Sequence, residues 1–196
     1  MFSQWNSVLL QTPNIIPSKR KMDRNVVVKA RVDDYEKIEE LIFHFTDSLG
    51  SVAVQEDVYF NVTQGRMKLR ITYPNRNGQL IYYRRPNTAG PKISESRVTE
   101  VEDAVSLKNL LCLALDQLGA VQKRRRVYVK DKLRINLDEV EGVGCFVELA
   151  VALADMDTEK CGIEHVKRVM KALQIHKSSL VPFAYLDLIM ENNNDI

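Results

Sequence analysis

The sequence has few of the residues that build metal centres, disulfide frameworks and flexible segments. Its 196 residues include three cysteines, three histidines, eight glycines and six prolines. The cysteines are far apart and show no C-x-x-C spacing, and the histidines show no metal-ligand spacing. These absences disfavour a zinc site and a disulfide scaffold, and they indicate ordinary thiols in a reducing compartment.

Long hydrophobic runs are also missing, since no apolar stretch approaches the roughly 18 residues of a membrane span. We therefore expect no membrane association. The composition, 45% hydrophobic and 28% charged, is that of an ordinary globular protein, and the length suits one compact domain. The net charge of +2 identifies no partner by itself, but the bases cluster along the chain instead of being spread evenly.

Composition also predicts the domain limits. Residues 1–21 contain no Asp or Glu, include two prolines and end in three consecutive bases. We predict a flexible N-terminal extension over 1–21, a folded domain over 22–192 and a tail over 193–196. A lack of acids is typical of mitochondrial presequences, but the amphipathic Arg spacing is missing, so a cytoplasmic location is favoured over a mitochondrial one.

Hydrophobic periodicity predicts four helices and eight strands. The helices cover 35–49, ended by Gly50, then 103–118, with Leu110 and Leu118 on the apolar side, then 163–173, and a short one that begins by Pro182. The strands cover 25–32, 52–60, 66–73, 79–85, 95–101, 120–130, 133–140 and 145–153. Mostly hairpin connections imply an antiparallel sheet, and eight strands are enough to close one.

Several strands alternate apolar and basic residues. In the strand over 66–73, Leu69 and Ile71 alternate with Lys68 and Arg70. The helices must bury their apolar stripes on the apolar strand faces. Two interpretations of the basic faces follow: an open sheet with solvated bases, which the pattern alone favours, or a closed sheet whose bases line a cavity that needs an anion.

Eight short motifs follow one another between Asp23 and Glu191. They are Arg24-Asn25-Val26-x-x-Lys29-Ala30-Arg31, Gln55-x-Asp57-x-Tyr59-Phe60, Gly65-Arg66-x-Lys68-Leu69-Arg70, Leu80-Ile81-Tyr82-Tyr83-x-Arg85-Pro86, Gly90-Pro91-Lys92, Val101-Glu102-Asp103, Leu137-Asp138-Glu139-Val140-Glu141-Gly142-x-Gly144-x-Phe146-x-Glu148-Leu149 and Ala184-Tyr185-Leu186-Asp187-Leu188. In this order they resemble the CYTH family, which is named for class IV adenylyl cyclases and thiamine triphosphatases, and within it the cyclase-like branch of the triphosphate tunnel enzymes.

The resemblance implies an α+β fold, a closed eight-stranded antiparallel β-barrel with helices packed outside. Lys and Arg from several strands would grip a triphosphate inside this tunnel. The positions that match the expected phosphate contacts are Lys29, Arg31, Lys68, Arg70, Arg85, Lys123, Arg125 and Arg134. Alternation along the strands supports three pairs of these positions, because residues two apart on a strand share a face. The pairs are Lys29 with Arg31, Lys68 with Arg70, and Lys123 with Arg125. Lys29 is also the expected catalytic group, which would orient or activate the nucleophile.

The resemblance further implies carboxylates that hold Mg²⁺ or Mn²⁺, and here the chain departs from the family. Asp138 and Glu148 match metal-ligand positions, whereas Val27 and Ala150 stand where the family carries glutamate. Two carboxylates suit at most one ion held together with substrate phosphates, and two-metal chemistry is disfavoured.

Two functions are therefore open. The first is an enzyme, a triphosphatase or a class IV adenylyl cyclase. The second is a catalytically inactive protein that binds or senses a nucleotide or polyphosphate. Binding of nucleic acid is disfavoured because the bases alternate inward and form no exposed stripe with stacking aromatic residues. Family members are often dimers, so a homodimer is an expectation. The identity of the triphosphate stays open.

Overall fold

Backbone pairing bends the sheet into a ring. The computed structural model describes residues 22–194, and this part of the chain holds eight strands, four α-helices and one short 3-10 turn. Their order is β1 (Asp23–Val32), α1 (Tyr35–Thr46), β2 (Ser51–Phe60), β3 (Arg66–Tyr73), β4 (Gly78–Arg84), β5 (Lys92–Val101), α2 (Ala104–Ala114), β6 (Gln117–Lys130), β7 (Leu133–Val140), β8 (Gly144–Leu153), α3 (Glu159–Ala172), the 3-10 turn (Lys177–Ser179) and α4 (Tyr185–Asn194).

The strands form a closed barrel in the order β1-β5-β4-β3-β2-β6-β7-β8. Every neighbouring pair is antiparallel, and β1 closes the ring by pairing with both β5 and β8. The predicted α+β fold, a closed eight-stranded antiparallel barrel with helices outside, is confirmed. A closed ring leaves no free strand edge, so the inward faces of all strands enclose one interior.

The helices cover the apolar outer face of the barrel. The largest apolar cluster joins the outward residues of β1, β7 and β8 to α1 and α3. Helix α3 lies very close to this wall, because a Cβ added at Gly162 would fall 2.5 Å from a methyl carbon of Val26. Burial of these apolar side chains is the main force that holds the helices on the sheet.

Several predicted element ends are wrong, and β5 and α3 begin three and four residues before their predicted starts. Helix α1 ends at Thr46 because Asp47 adopts a left-handed conformation, with φ of 54°, and its N–H caps the carbonyl of Phe43. Helix α2 ends at Ala114 because Leu115 is extended, so β6 begins three residues before the predicted start. Helix α2 packs on the sheet through Leu107 and Leu111. Leu110, within the helix, and Leu118, at the start of β6, are exposed, not buried.

The domain limits stay predictions. The predicted extension over 1–21 lies outside the described residues, and helix α4 continues as far as Asn194. No helix in the part of the chain that the structure describes combines the length and apolar character needed to cross a lipid bilayer.

Candidate functional site

The inside of the barrel contains a polar cavity of about 660 Å³. Its wall consists of inward-facing side chains, which alternate with the outward apolar residues because successive residues of a strand point to opposite faces. The cations that line it come from strands β1, β3, β6 and β7, from the segment after β4 and from the turn between β6 and β7, and they are Arg24, Lys29, Lys68, Arg70, Arg85, Arg125, Lys132 and Arg134. Anion binding is the chemistry that such a wall favours.

One carboxylate organises three of the buried cations. Asp57 on β2 is 1% exposed. Its oxygens accept hydrogen bonds from Lys68 at 2.7 Å, from Arg70 at 2.8 and 3.0 Å, and from Lys123. Burial alone would raise the pKa of Asp57, but Arg70, Lys123 and Lys68 together hold it well below its usual value. Asp57 is therefore ionised, and it fixes the cations of β3 and β6 around one point.

A second buried pair lies on β6 and β7. Arg125 donates two hydrogen bonds of 2.6 Å to the two oxygens of Asp138, which is fully buried. The hydroxyl of Tyr185 donates a third bond, of 2.7 Å, to the same carboxylate. Burial raises the pKa of Asp138, but Arg125, Lys123 and the Tyr185 hydroxyl together lower it more, so the net pKa lies below the usual value. The bidentate geometry orients Arg125 toward the cavity.

The Tyr185 hydroxyl is expected to stabilise this pair. We predict that Tyr185→Phe lowers the free energy of unfolding by about 1.5–3 kcal/mol, the cost of removing a hydrogen bond to a buried charged group. The ring stays in place, so its contact with Lys29 is kept. Urea denaturation of both proteins measures the difference, and an unchanged midpoint would contradict a stabilising hydroxyl.

Lys29 on β1 has an unusual environment. Its ammonium lies 3.5 Å from the centre of the Tyr185 ring and donates a 3.3 Å hydrogen bond to the carbonyl of Phe183. Glu148 lies opposite it in the β1–β8 register. Burial lowers the pKa of Lys29 to about 7, although Glu148 acts in the other direction. Lys29 can therefore gain or lose a proton near neutral pH.

The segment before α4 covers one end of the cavity. Arg85 donates a 2.9 Å hydrogen bond to the carbonyl of Pro182, and Lys92 donates to the carbonyl of Thr88 and, more weakly at 3.4 Å, to that of Pro182. Burial lowers the pKa of Lys92 to about 8. These backbone carbonyls are neutral partners, so they leave the charges of Arg85 and Lys92 uncompensated.

The structure brings six of the eight predicted phosphate contacts together on the wall of the cavity. They are Lys29, Lys68, Arg70, Arg85, Arg125 and Arg134. Lys123 is buried against Asp57 and does not reach the cavity wall. Arg31 lies beyond the cavity, on the ring of Phe146, and donates a 2.7 Å bond to the carbonyl of Val143.

The sequence predicts no role for three residues of the site. Asp57, Lys92 and Tyr185 lie in the motifs that resemble the CYTH family, but none of them is among the predicted phosphate contacts or metal ligands. A signal for Asp57 existed, since it shares the inward face of β2 with Gln55 and Tyr59. No sequence signal placed Tyr185 inside the barrel, because it reaches the cavity from α4.

The residues present do not form a preformed metal centre. Among residues 22–194 no cluster of three or more His, Cys, Asp or Glu side chains could hold an ion. Both oxygens of Asp138 are taken by Arg125 and Tyr185. Glu148 accepts one bond, at 3.3 Å, from Asn136 and faces Lys29. Val27 and Ala150 line the cavity and offer no oxygen to a cation that prefers six.

Solved structures share this fold. A conserved hypothetical protein of Pyrococcus furiosus superposes with a TM-score of 0.74 at 22% identity, over 84% of this chain and 99% of its own. A Hippeastrum protein, described as an adenylyl cyclase candidate with a dominant triphosphatase activity, gives a TM-score of 0.58 at 14% identity. That match covers 87% of this chain and 96% of the Hippeastrum chain. At these identities the similarity establishes the fold.

Similarity in sequence is also extensive. A Methanocaldococcus jannaschii protein that is provisionally named an adenylate cyclase is 27% identical over 175 residues, which are 83% of this chain and 97% of that protein. Residues 23–185 match the CYTH domain. This span contains all eight strands of the barrel and every cation of its wall. The chain is therefore a member of the CYTH family.

Proposed function

We propose that the barrel interior binds the phosphate chain of a triphosphate-containing ligand, which is a nucleoside triphosphate, inorganic triphosphate or thiamine triphosphate. One observation carries this proposal: seven Lys and Arg side chains converge inside one barrel against three carboxylates. The bases are Lys29, Lys68, Arg70, Arg85, Lys123, Arg125 and Arg134, and the acids beside them are Asp57, Asp138 and Glu148. The cavity wall adds two more bases, Arg24 and Lys132, and three exposed acids, Asp23, Glu100 and Asp131, so the bases still outnumber the acids. Cations held this close repel one another, and a polyanion removes that cost.

Each base has a distinct part in this proposal. Arg70 and Arg125, oriented by Asp57 and Asp138, present guanidinium groups that can bond phosphate oxygens in pairs. Lys29 and Arg85 exchange backbone carbonyl partners for phosphate oxygens. Lys123 does not contact the ligand and instead holds the Asp57 carboxylate in place. Arg31 stabilises the end of the barrel and also makes no contact with the ligand.

Enzymes of the CYTH family generally use divalent metal ions. For this chain we propose that at most one Mg²⁺ or Mn²⁺ ion accompanies the ligand, with Glu148 as the free carboxylate and Asp138 next to it. Because Val27 and Ala150 offer no oxygen to a metal ion, we propose that Lys and Arg side chains, and not metal ions, are the main partners of the phosphates. Binding is therefore proposed to persist without metal.

Calorimetric titration with tripolyphosphate, with and without a metal chelator, tests this proposal. We expect binding in the micromolar range or tighter in both conditions, because the partners are the side chains themselves. The variant Lys68→Ala/Arg70→Ala should lose most of the affinity, whereas Arg84→Ala, on the outer surface, should not. Absence of binding, or binding that the chelator abolishes, would contradict the proposal.

Turnover is the second candidate, as a phosphohydrolase or an adenylyl cyclase. The observation that favours it is the pKa of Lys29, about 7, next to Glu148. A group that titrates near neutral pH is suited to move a proton from an attacking hydroxyl or water. Phosphate or pyrophosphate release in the same samples, with Mn²⁺ added, separates an enzyme from a protein that only binds. A homodimer and a cytoplasmic location stay predictions.

A further inference from the structure

The helices do not cover the outer face of the barrel evenly. Helix α3 lies on β1 and β8, helix α2 lies on β3 and the second half of β2, and α1 and α4 lie against β6. Much of the outer face of β4 and β5 is exposed, and so is the outer face of the first half of β2. A sheet face in contact with water normally carries polar side chains, so its composition indicates what it contacts.

These two exposed faces differ in chemistry. On β5 the outward residues Arg97 and Thr99 are exposed and polar, as expected for contact with water. On β2 the outward residues are Val52 and Val54, which are 47% and 52% exposed. The next outward residue of β2 is Glu56, which pairs with α2, so the apolar stretch ends there. The face of β2 therefore suits contact with another protein surface.

Two more apolar side chains extend this surface. Tyr73, 39% exposed, lies directly opposite Val54 in the β2–β3 register, so the two side chains are neighbours on one face. Leu49, 73% exposed, precedes the strand, and its carbonyl accepts a 3.0 Å hydrogen bond from Arg126, which lies opposite Val52 in the β2–β6 register. We call Leu49, Val52, Val54 and Tyr73 the β2 apolar face.

Ion pairs border the β2 apolar face. They are Arg124–Glu139 at 2.5 Å, Arg126–Glu39 at 2.9 Å and Lys108–Glu56 at 2.6 Å. Each pair is neutral, so this border attracts neither a polyanion such as nucleic acid nor a strongly basic protein. An apolar centre with a polar border is the usual anatomy of a protein–protein interface.

Two exposed charges near the face, Asp47 and Arg76, have no ion pair within the described part of the chain, 22–194. Asp47 is two residues before Leu49 and lies on the β6 side of β2, whereas Arg76 is three residues after Tyr73 and lies on the β3 side. A rotation of 180° about an axis through the centre of the face exchanges these sides. Asp47 of each copy would then face Arg76 of the other, so the charges are self-complementary.

We infer that the β2 apolar face is the contact between two copies of this chain, related by a two-fold axis. Burial of the apolar side chains of both copies stabilises the dimer, and the two Asp47–Arg76 pairs fix the arrangement of the copies. The neutral border adds no repulsion. This contact lies on the outside of the barrel and does not depend on the proposed function.

Sedimentation equilibrium of the full chain between about 1 and 200 μM tests this contact. We expect a monomer–dimer equilibrium with a dissociation constant in the micromolar range, as suits a small interface. Val54→Glu places like charges at the centre of the contact and should weaken the dimer at least about thirtyfold. Thr99→Glu, the matched change on the polar face of β5, should alter the dissociation constant by less than about twofold.

Exchange of charges tests the two-fold arrangement. Asp47→Lys alone, or Arg76→Glu alone, sets like charges against each other at both ends of the contact and should weaken its own dimer about tenfold. Mixed in equal amounts, the two variants restore opposite charges at both ends, so a mixed dimer should form with nearly wild-type affinity. A general loss of stability in either variant cannot produce this restoration.

A second apolar variant guards against a folding defect of Val54→Glu. Leu49 lies outside the strand, between α1 and β2, so Leu49→Glu should fold and should also weaken the dimer. Three results would overturn the inference: a chain that stays monomeric at about 200 μM, a dimer that survives both substitutions, or association into chains longer than a dimer. Failure of the mixed charge variants to associate more tightly than either variant alone would also overturn it.

Discussion

Asp57→Ala should lower the free energy of unfolding by about 3–5 kcal/mol, the usual cost of leaving buried charges without their partner. Asp57 is the counter-charge for Lys68, Arg70 and Lys123, all of which lie within hydrogen-bond distance of its carboxylate. Removing it leaves three cations to repel one another at the centre of the barrel. Urea or thermal unfolding measures the loss.

The matched control for Asp57 is Glu139→Ala. Glu139 also pairs with an arginine on a neighbouring strand, at 2.5 Å from Arg124, but both side chains are more than 40% exposed. Exposed pairs contribute little, so this variant should lose less than about 1 kcal/mol. A loss for Asp57→Ala no larger than the control's would mean that the buried cluster does not organise the barrel.

Acid should weaken the same cluster. The pKa of Asp57 is depressed in the folded protein, so its stabilisation is complete above the unfolded value of about 3.9 and is lost as the pH falls below it. The difference in unfolding free energy between wild type and Asp57→Ala should therefore shrink below about pH 4. A difference that is constant from pH 7 to pH 3 would contradict this assignment.

Tripolyphosphate affinity should fall as the pH rises through neutrality, by up to about tenfold per pH unit for each lysine that takes up a proton on binding. The pKa of Lys29 is about 7 and that of Lys68 about 8, in both cases lowered mainly by burial. A bound polyanion favours the protonated ammonium, so binding competes with deprotonation. Calorimetric titration between pH 6 and 9 measures the trend.

Lys29→Met isolates the part that Lys29 contributes, because titration of the ligand affects both proteins equally. The affinity ratio of wild type to variant should be largest at pH 6 and should fall as the pH rises above about 7, where the free protein loses the Lys29 proton. Lys37→Met, at an exposed position on α1, should leave the ratio near one at every pH. A wild-type to Lys29→Met ratio independent of pH would mean that Lys29 does not change protonation on binding.

Stability should follow the opposite trend in the same pH range. In the unfolded chain Lys29 keeps its proton up to about pH 10.4, whereas in the folded chain it releases the proton near 7. Between these values rising pH removes an advantage of the unfolded state, so wild type gains stability relative to Lys29→Met. The gain is at most about 1.4 kcal/mol per pH unit. A fall in relative stability over this range would contradict a buried Lys29.

The alternation of residues along each strand determined much of this molecule. It separated the inward bases Lys68 and Arg70 from the outward apolar residues Leu69 and Ile71, because side chains alternate between the two faces of any strand. The order of the motifs predicted the family and the closed barrel. Strand positions followed for the same local reason, whereas helix ends depended on single backbone conformations such as that of Asp47.

Tertiary structure alone decided which side chains meet. Pairing of β1 with β8 sets Val27 against Ala150 and Lys29 against Glu148, although each pair is widely separated in sequence. Alternation fixes the face of a residue but not its depth along the barrel axis, so it could not show that Arg31 lies beyond the cavity. The strand register and the closure of the ring depend on how all eight strands and the surrounding helices pack together. A local sequence pattern therefore cannot predict them.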